Sequence, residues 1–232
     1  LWLDWGSQGV QVTGNLFHEN DVQEDIFVEV CHGPILIANN ILLSRHSLNL
    51  SQGIACVHNL ICGEVTGGKD RCAGGRLTFY YEPHGTVSVG KAPNLGGDLQ
   101  WYNNLLAERA SFDRWDECAL PMKFEGNASA DPASDLEVEL IKKTDGWYLS
   151  MKAVGNWLQK EKRRLITTAV LGKTITSNQA FTHPDGSSLK ISRDYQGMKR
   201  NAANPCPGPF EVSKTGKYEW KVWDIPFEVK NR

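Results

Sequence analysis

Two acidic residues stand at equivalent places in two similar stretches of chain. Asp4 lies between Leu3 and Trp5, and Glu29 lies between Val28 and Val30; each acid precedes an asparagine, Asn15 or Asn40, by the same interval. Aligning the two asparagines places Leu3 on Val28, Trp5 on Val30, Val10 on Ile35 and Val12 on Ile37, so apolar falls on apolar and one acid on the other. If the two stretches are neighbouring strands, the carboxyl groups lie about one strand spacing apart, ~4.8 Å. Like charges that close are costly in a purely structural role. A retaining glycosidase needs its nucleophile and its acid/base about 5–5.5 Å apart, whereas an inverting enzyme needs ~6.5–9.5 Å. From spacing alone three readings stand side by side: a catalytic pair, a calcium site built on stacked carboxylates, and two acids on an exposed sheet.

The neighbours of the acids extend the pattern. By strand alternation Trp2 shares a face with Asp4 and offers a flat apolar surface to a sugar ring, while Trp5 points the other way and reads as core. His32 follows Glu29 by three residues and precedes Gly33-Pro34, a turn signal. It reads either as a group that binds a sugar hydroxyl or orients a carboxylate, or as a satisfied structural histidine. Glu24 and Asp25 read as solvated turn acids.

The element that would position the acids is a repeat. An asparagine followed by apolar residues recurs at Asn15, Asn40, Asn59, Asn104 and, more weakly, Asn127, with separations of 25, 19, 45 and 23 residues. The long separation reads as two periods of about 22. Segments between the motifs, such as Phe27–Val30, Ile35–Ile37 and Leu77–Tyr81, are rich in branched and aromatic residues and have no helical stripe. This predicts an all-β chain, a right-handed parallel β-helix, with an asparagine at one corner of every coil bonded to the next coil.

Composition narrows the alternatives. With 232 residues, 25 Lys+Arg and 27 Asp+Glu, the chain has a net charge of −2 and no global basic field, so nucleic acid is not an expected partner. The longest apolar run, Ile35 to Ala38, is far short of a membrane helix, and no membrane partner is expected. The six cysteines lack paired C-x2-C spacing, so a structural zinc site is not expected; apart from the calcium alternative, no metal or cofactor is expected. The chain opens Leu1-Trp2-Leu3-Asp4-Trp5 with no Met and no signal peptide, which reads as a C-terminal fragment or a processed chain whose upstream residues help to form the site.

Several motifs together resemble a known family. Trp2-Leu3-Asp4-Trp5, Gly14-Asn15-Leu16-Phe17, Val28-Glu29-Val30 with His32-Gly33-Pro34, Asn39-Asn40-Ile41-Leu42-Leu43-Ser44, Ser51-Gln52-Gly53 and Tyr102-Asn103-Asn104-Leu105 are similar to segments of glycoside hydrolase family 120. Asp194-Tyr195, Gly197, Lys199-Arg200 and Pro207-Gly208-Pro209-Phe210-Glu211 resemble its closing segment. Members are bacterial β-helix β-xylosidases with a retaining mechanism, and the resemblance covers the C-terminal part of a member. It implies that Asp4 is the nucleophile and Glu29 the acid/base, acting on β-xylosides or short xylo-oligosaccharides from the non-reducing end; Trp2 and His32, by their places beside the acids, are the substrate-binding candidates. The negative charge on Asp4 favours the proton that Glu29 must carry at the start. Other functions stay open: a β-helix polysaccharide lyase, against which no basic residue aligns beside either acid, or a non-catalytic carbohydrate-binding β-helix.

After about residue 130 the asparagines stop. Residues 1–130 read as the coils, 131–192 as a small β-rich elaboration or cap, and 193–232 as a closing segment packed on the coils. Leu136, Val138 and Leu140 alternate with Glu137 and Glu139 as an amphipathic strand, Asp145-Gly146 reads as a hairpin turn into a second strand, and Asn156 to Arg164 as a short helix. Trp220, Val222 and Trp223 form a last strand-like stretch of core or subunit contact. Expected partners are a xylose-containing oligosaccharide and a second copy of the chain or its own missing N-terminal part. The expected compartment is the bacterial cytoplasm, with secretion or the periplasm as alternatives.

Overall fold

The structure is a computed structural model and describes residues 1–20, 22–67, 74–107, 118–129, 136–153, 161–212 and 214–224. The loop expected at 131–135, most of the helix expected at 156–164 and the end of the closing segment from 225 lie outside these residues. What is described is nearly all β, with one helical turn at Thr168–Leu171.

Three parallel sheets carry the first half of the chain, which visits them in rotation. The opening circuit runs through β1 (Trp2–Leu3), β2 (Val10–Thr13) and β3 (Leu16–Phe17), and the next through β4 (Ile26–Val28), β5 (Ile35–Ala38) and β6 (Ile41–Leu42). A third follows with β7 (His46–Leu50), β8 (Gln52–Val57) and β9 (Leu60–Ile61). β10 (Glu64–Gly67) then joins the first sheet. An antiparallel hairpin, β11 (Leu77–Tyr81) and β12 (Ser88–Pro93), interrupts the rotation before β13 (Gly97–Tyr102) and β14 (Leu105–Leu106) resume it. β15 (Met122–Glu125) and β16 (Ala128–Ser129) close the second and third sheets, whose strand orders are β2-β5-β8-β13-β15 and β3-β6-β9-β14-β16. The first sheet runs β1-β4-β7-β10.

Side-chain alternation explains why short strands suffice. Val12, Ile35, Ile37, Ile54, Cys56, Leu99 and Trp101 turn inward and meet Ile26, Val28, Leu48 and Leu50 of the first sheet and Leu42, Ile61 and Leu106 of the third in one core. The alternate residues Leu36, Ala38, Ala55, Val57 and Tyr102 face outward, yet they are buried under Ile166, Leu171, Phe181 and Leu189. Ile41, Leu60 and Leu105 on the third sheet are likewise covered by Leu149, Met151, Phe210 and Val222. Strands buried on both faces read as continuous apolar runs, as Ile35–Ala38 does. Each fully buried Ile or Leu contributes ~1.5–3 kcal/mol.

The asparagines form a file through the circuits. Asn40 Oδ1 accepts from the backbone N and the Nδ2 of Asn15, both at 3.0 Å. Asn59 receives the same pair from Asn40, Asn104 from Asn59, and Asn127 from Asn104. From Asn40 onward each Nδ2 also donates to a strand carbonyl one circuit back, as Asn59 does to Ile37 O at 2.9 Å, whereas Asn15 Nδ2 donates to Thr13 O of its own circuit. The residue before each asparagine turns the corner in left-handed backbone: Gly14 (φ 68°), Asn39, His58 and Asn103 (each 55°) and Gly126 (69°). Gly and Asn are the residues that take this conformation at least cost. The direct bond from Asn59 to Asn104 corrects the expected spacing: their 45-residue separation is a single circuit with the hairpin inserted, not two periods.

A second, antiparallel sheet comprises β17 (Leu136–Lys143), β18 (Gly146–Ala153) and β19 (Gly216–Asp224), in that order. The predicted amphipathic strand and its turn at Asp145-Gly146 are present, and the last strand carries Trp220 and Val222 inward. This sheet pairs residues from either side of position 192, and the segment between its strands lies along the outer face of the second parallel sheet.

Candidate functional site

The site residues sit where the first sheet's strands end. Leu3 pairs with Val28, and Glu29 N donates to Leu3 O at 2.8 Å, so Asp4 follows Leu3 as Glu29 follows Val28 on the adjacent parallel strand. Leu3 and Val28 point into the core, which turns the two acids outward; both are half-buried. The residues after them, Trp5 (φ 42°) and Val30 (φ 45°), are left-handed. For a branched valine that geometry is strained and persists only where the surroundings fix it. Val30 is fully buried, and its carbonyl accepts from Gly6 N at 3.3 Å. The chain thus bends sharply after each acid and leaves it on the rim. The same bend breaks the strand alternation at Trp5, whose side chain is 60% exposed. The expectation that Trp5 belongs to the core is corrected.

Each carboxylate has a different partner. Asp4 Oδ1 accepts from Trp5 N at 2.7 Å, and Ser7 Oγ donates to the Asp4 carbonyl. Glu29 Oε1 accepts from Arg76 Nη2 at 2.6 Å. Arg76 was not among the sequence candidates, and its presence corrects the expectation that no basic residue stands beside either acid. It reaches Glu29 from the root of the β11–β12 hairpin.

Trp2 is on the predicted face and 60% exposed, with its ring stacked on Phe27 of the next strand at 5.4 Å between centroids. His32 is buried. Gln52 Oε1 accepts from Leu95 N, so the Gln52 amide nitrogen faces His32 Nδ1 at 2.8 Å and must donate to it. His32 Nε2 therefore carries the proton and meets Thr78 Oγ1 at 2.9 Å. Burial lowers its pKa, with the Thr78 carbonyl opposing, which suits a neutral ring. Of the two readings of His32, the structure shows the satisfied one, with both nitrogens used inside the protein to tie the circuit to the hairpin.

That tie is one of several along the hairpin. Gln8 exchanges hydrogen bonds with the backbone of Tyr81 at 3.0 and 3.1 Å. Gly6 lies so close that a Cβ would stand 2.8 Å from Phe79 O, a gap that only glycine leaves open. Asn94 Nδ2 donates to Thr78 Oγ1 at 2.6 Å. Asp25, expected to be solvated, is instead buried, accepting from Asn20 Nδ2 and Ser44 N, and burial raises its pKa. Cys31, next to the bend, is a buried thiol pushed up to about 12 by burial, too weakly ionised to serve as a nucleophile. Among the described residues no group of three or more His, Cys, Asp or Glu is placed to hold a metal ion.

Two rim carboxylates on adjacent strands, one bonded through Oδ1 to a backbone N–H and one paired with a cation, are groups of the kind that perform nucleophilic and acid/base chemistry. Comparisons with known proteins agree in part. The chain is similar to a solved structure described as the complex of XylC with xylose, at 28% identity and a TM-score of 0.82, over 96% of this chain and 41% of that one. The chain therefore spans less than half the length of XylC. No family model and no curated protein matches it.

Proposed function

We propose that this chain is part of a retaining glycoside hydrolase of family 120, acting on β-xylosides or short xylo-oligosaccharides from the non-reducing end, and that its circuits form a right-handed parallel β-helix. The observation that supports the reading is the register: Leu3 pairs with Val28, so the acids that follow them belong to adjacent strands, and a strand spacing of ~4.8 Å is close to the ~5–5.5 Å between carboxyl groups that retention requires. The likeness to a xylose complex supports the sugar class.

In this reading Asp4 attacks the anomeric carbon while Glu29 gives its proton to the departing oxygen, forming a glycosyl ester on Asp4. Glu29 then takes a proton from the water that attacks the same carbon and releases the sugar. Trp2, braced by Phe27, offers an apolar plate to the ring. His32 acts as a positioning residue through Gln52 and Thr78. Residues 1–129 carry the chemistry, and the antiparallel sheet formed by Leu136–Lys143, Gly146–Ala153 and Gly216–Asp224 acts as a β-rich cover over the third parallel sheet.

The test is made on the full-length protein with an aryl β-xyloside and xylobiose. Glu29→Gln is expected to lower kcat/KM on xylobiose by about 10²–10⁴-fold, and Asp4→Asn to abolish labelling by a 2-fluoro-xyloside that otherwise attaches covalently to Asp4. Near-wild-type turnover in either variant, or a label on another residue, overturns the assignment. A product bearing a new carbon–carbon double bond instead of free xylose would favour a lyase, a reading to which Arg76 lends the basic group it needs.

A further inference from the structure

The row that carries the two acids has a third member. Leu3 pairs with Val28 and Val28 with Leu50, so Ser51 follows Leu50 as Asp4 follows Leu3 and Glu29 follows Val28. Ser51 is fully buried, and its hydroxyl is used on the circuit before it: Oγ accepts from Cys31 N at 3.2 Å and lies 3.5 Å from Cys31 O. Resting on the reading of Glu29 as acid/base, we propose that Ser51 is a positioning residue for it: the hydroxyl, together with the Cys31 thiol, fixes the left-handed bend at Val30 that turns Glu29 onto the rim.

A bend of this kind needs a hold. Val30 has φ 45°, a conformation that a branched residue keeps only where its surroundings impose it. The first N–H after the bend, that of Cys31, is the group that Ser51 captures, and the Cys31 thiol donates back to Glu29 O at 3.1 Å, the carbonyl just before the bend. Glu29 N in turn donates to Leu3 O at 2.8 Å, so the backbone is fixed on both sides of the acid. The grip continues along the chain. Gln52 Nε2 donates to His32 Nδ1 at 2.8 Å, and Gly33 and Gly53 pack so closely that a Cβ on the first would run into Gly53 O and one on the second into His32 O. Ser51, Gln52 and Gly53 thus form a mould for residues 31–33. Arg76 holds the far end of Glu29, its carboxylate, from the hairpin; Ser51 acts on the near end, the backbone. A group that transfers protons works within a narrow range of positions, and a displacement of about 1 Å can cost ~10²-fold in rate. A hydroxyl at position 51 sets the position of Glu29 without adding a third charge to the row.

The experiment compares two substrates in the full-length protein: xylobiose, whose departing sugar needs a proton from the acid, and a dinitrophenyl β-xyloside, whose phenolate leaves without one. Ser51→Ala should lower kcat/KM on xylobiose by about 10–100-fold and leave kcat/KM on the dinitrophenyl substrate within about twofold. On the latter substrate kcat and KM should fall together, because the glycosyl ester accumulates when the base that activates water is misplaced. A loss shared equally by the two substrates, as a general loosening of the fold would give, or no loss on either, overturns the positioning role. If Ser51→Ala fails to fold, Cys31→Ala, which removes the thiol's bond to Glu29 O, carries the same comparison: a loss confined to xylobiose supports the role, and an equal or absent one overturns it. Xylobiose turnover that survives in Glu29→Gln would instead overturn the underlying catalytic assignment, so the two failures are distinguishable.

Discussion

Two buried histidines give the molecule a sign to its acid sensitivity. Burial lowers the pKa of His32, and burial together with the nearby Arg200 charge lowers that of His58 well below its ordinary value. A histidine whose folded pKa lies below its unfolded one contributes stability that is present above about 6.5 and lost as the pH falls. Asp98 acts oppositely: burial raises it to about 6, so its contribution is present below the ordinary carboxylate range and lost as pH rises through about 6. Urea unfolding should therefore show lower stability at pH 5 than at pH 7.5 on the histidines' account. His58→Asn, which fits the left-handed corner and can still accept from Asn103, should flatten that decline; an unchanged slope would exclude His58 as its source. Residue-scale legibility was uneven for physical reasons. Asp4 and Glu29 were readable because an equal offset from Asn15 and Asn40 sets the register. Arg76 was not, since it lies 47 residues from Glu29 and reaches it only through the folded hairpin. Trp5 misled because alternation assumes an extended backbone, and φ is 42° there.

At the scale of elements the asparagine file is the part that sequence spacing revealed best, because hydrogen bonds between successive circuits demand the same residue at each corner. Its interior members should matter most. Asn59→Ala takes the side-chain partner from Asn40 N and from Ile37 O and one of the two acceptors of Asn40 Nδ2, which keeps Val12 O, and buried groups left unpaired cost about 1–3 kcal/mol each. The variant is expected to lose on the order of 3 kcal/mol or more by urea denaturation, whereas Asn15→Ala at the rim should lose ~1 kcal/mol or less. Equal losses at the two positions would contradict the burial gradient. The hairpin at Leu77–Pro93 shows the limit of such reading. Its strands look like any others in composition, and the folded pairing reveals that they stand outside the rotation: β8 pairs directly with β13, and Asn59 bonds Asn104.

For the whole molecule, the uninterrupted apolar run Ile35–Ala38 already signals a sheet covered on both sides, but not what covers it, because outward-facing Leu36 and Ala38 accept any apolar partner. The structure supplies Phe181 and Leu189 over the second sheet and Leu149, Phe210 and Val222 over the third. Phe181→Ala should cost about 3–5 kcal/mol, read as a lowered urea midpoint. A loss below ~1 kcal/mol would mean that the overlying segment is dispensable. The file of amides has one last implication. Asn15, Asn40, Asn59 and Asn104 each hand two N–H groups forward to the oxygen of the next, so their dipoles add along the axis instead of cancelling. The interior is consequently vectorial, like a row of compass needles, and its layers could not be reordered or inverted without setting oxygen against oxygen.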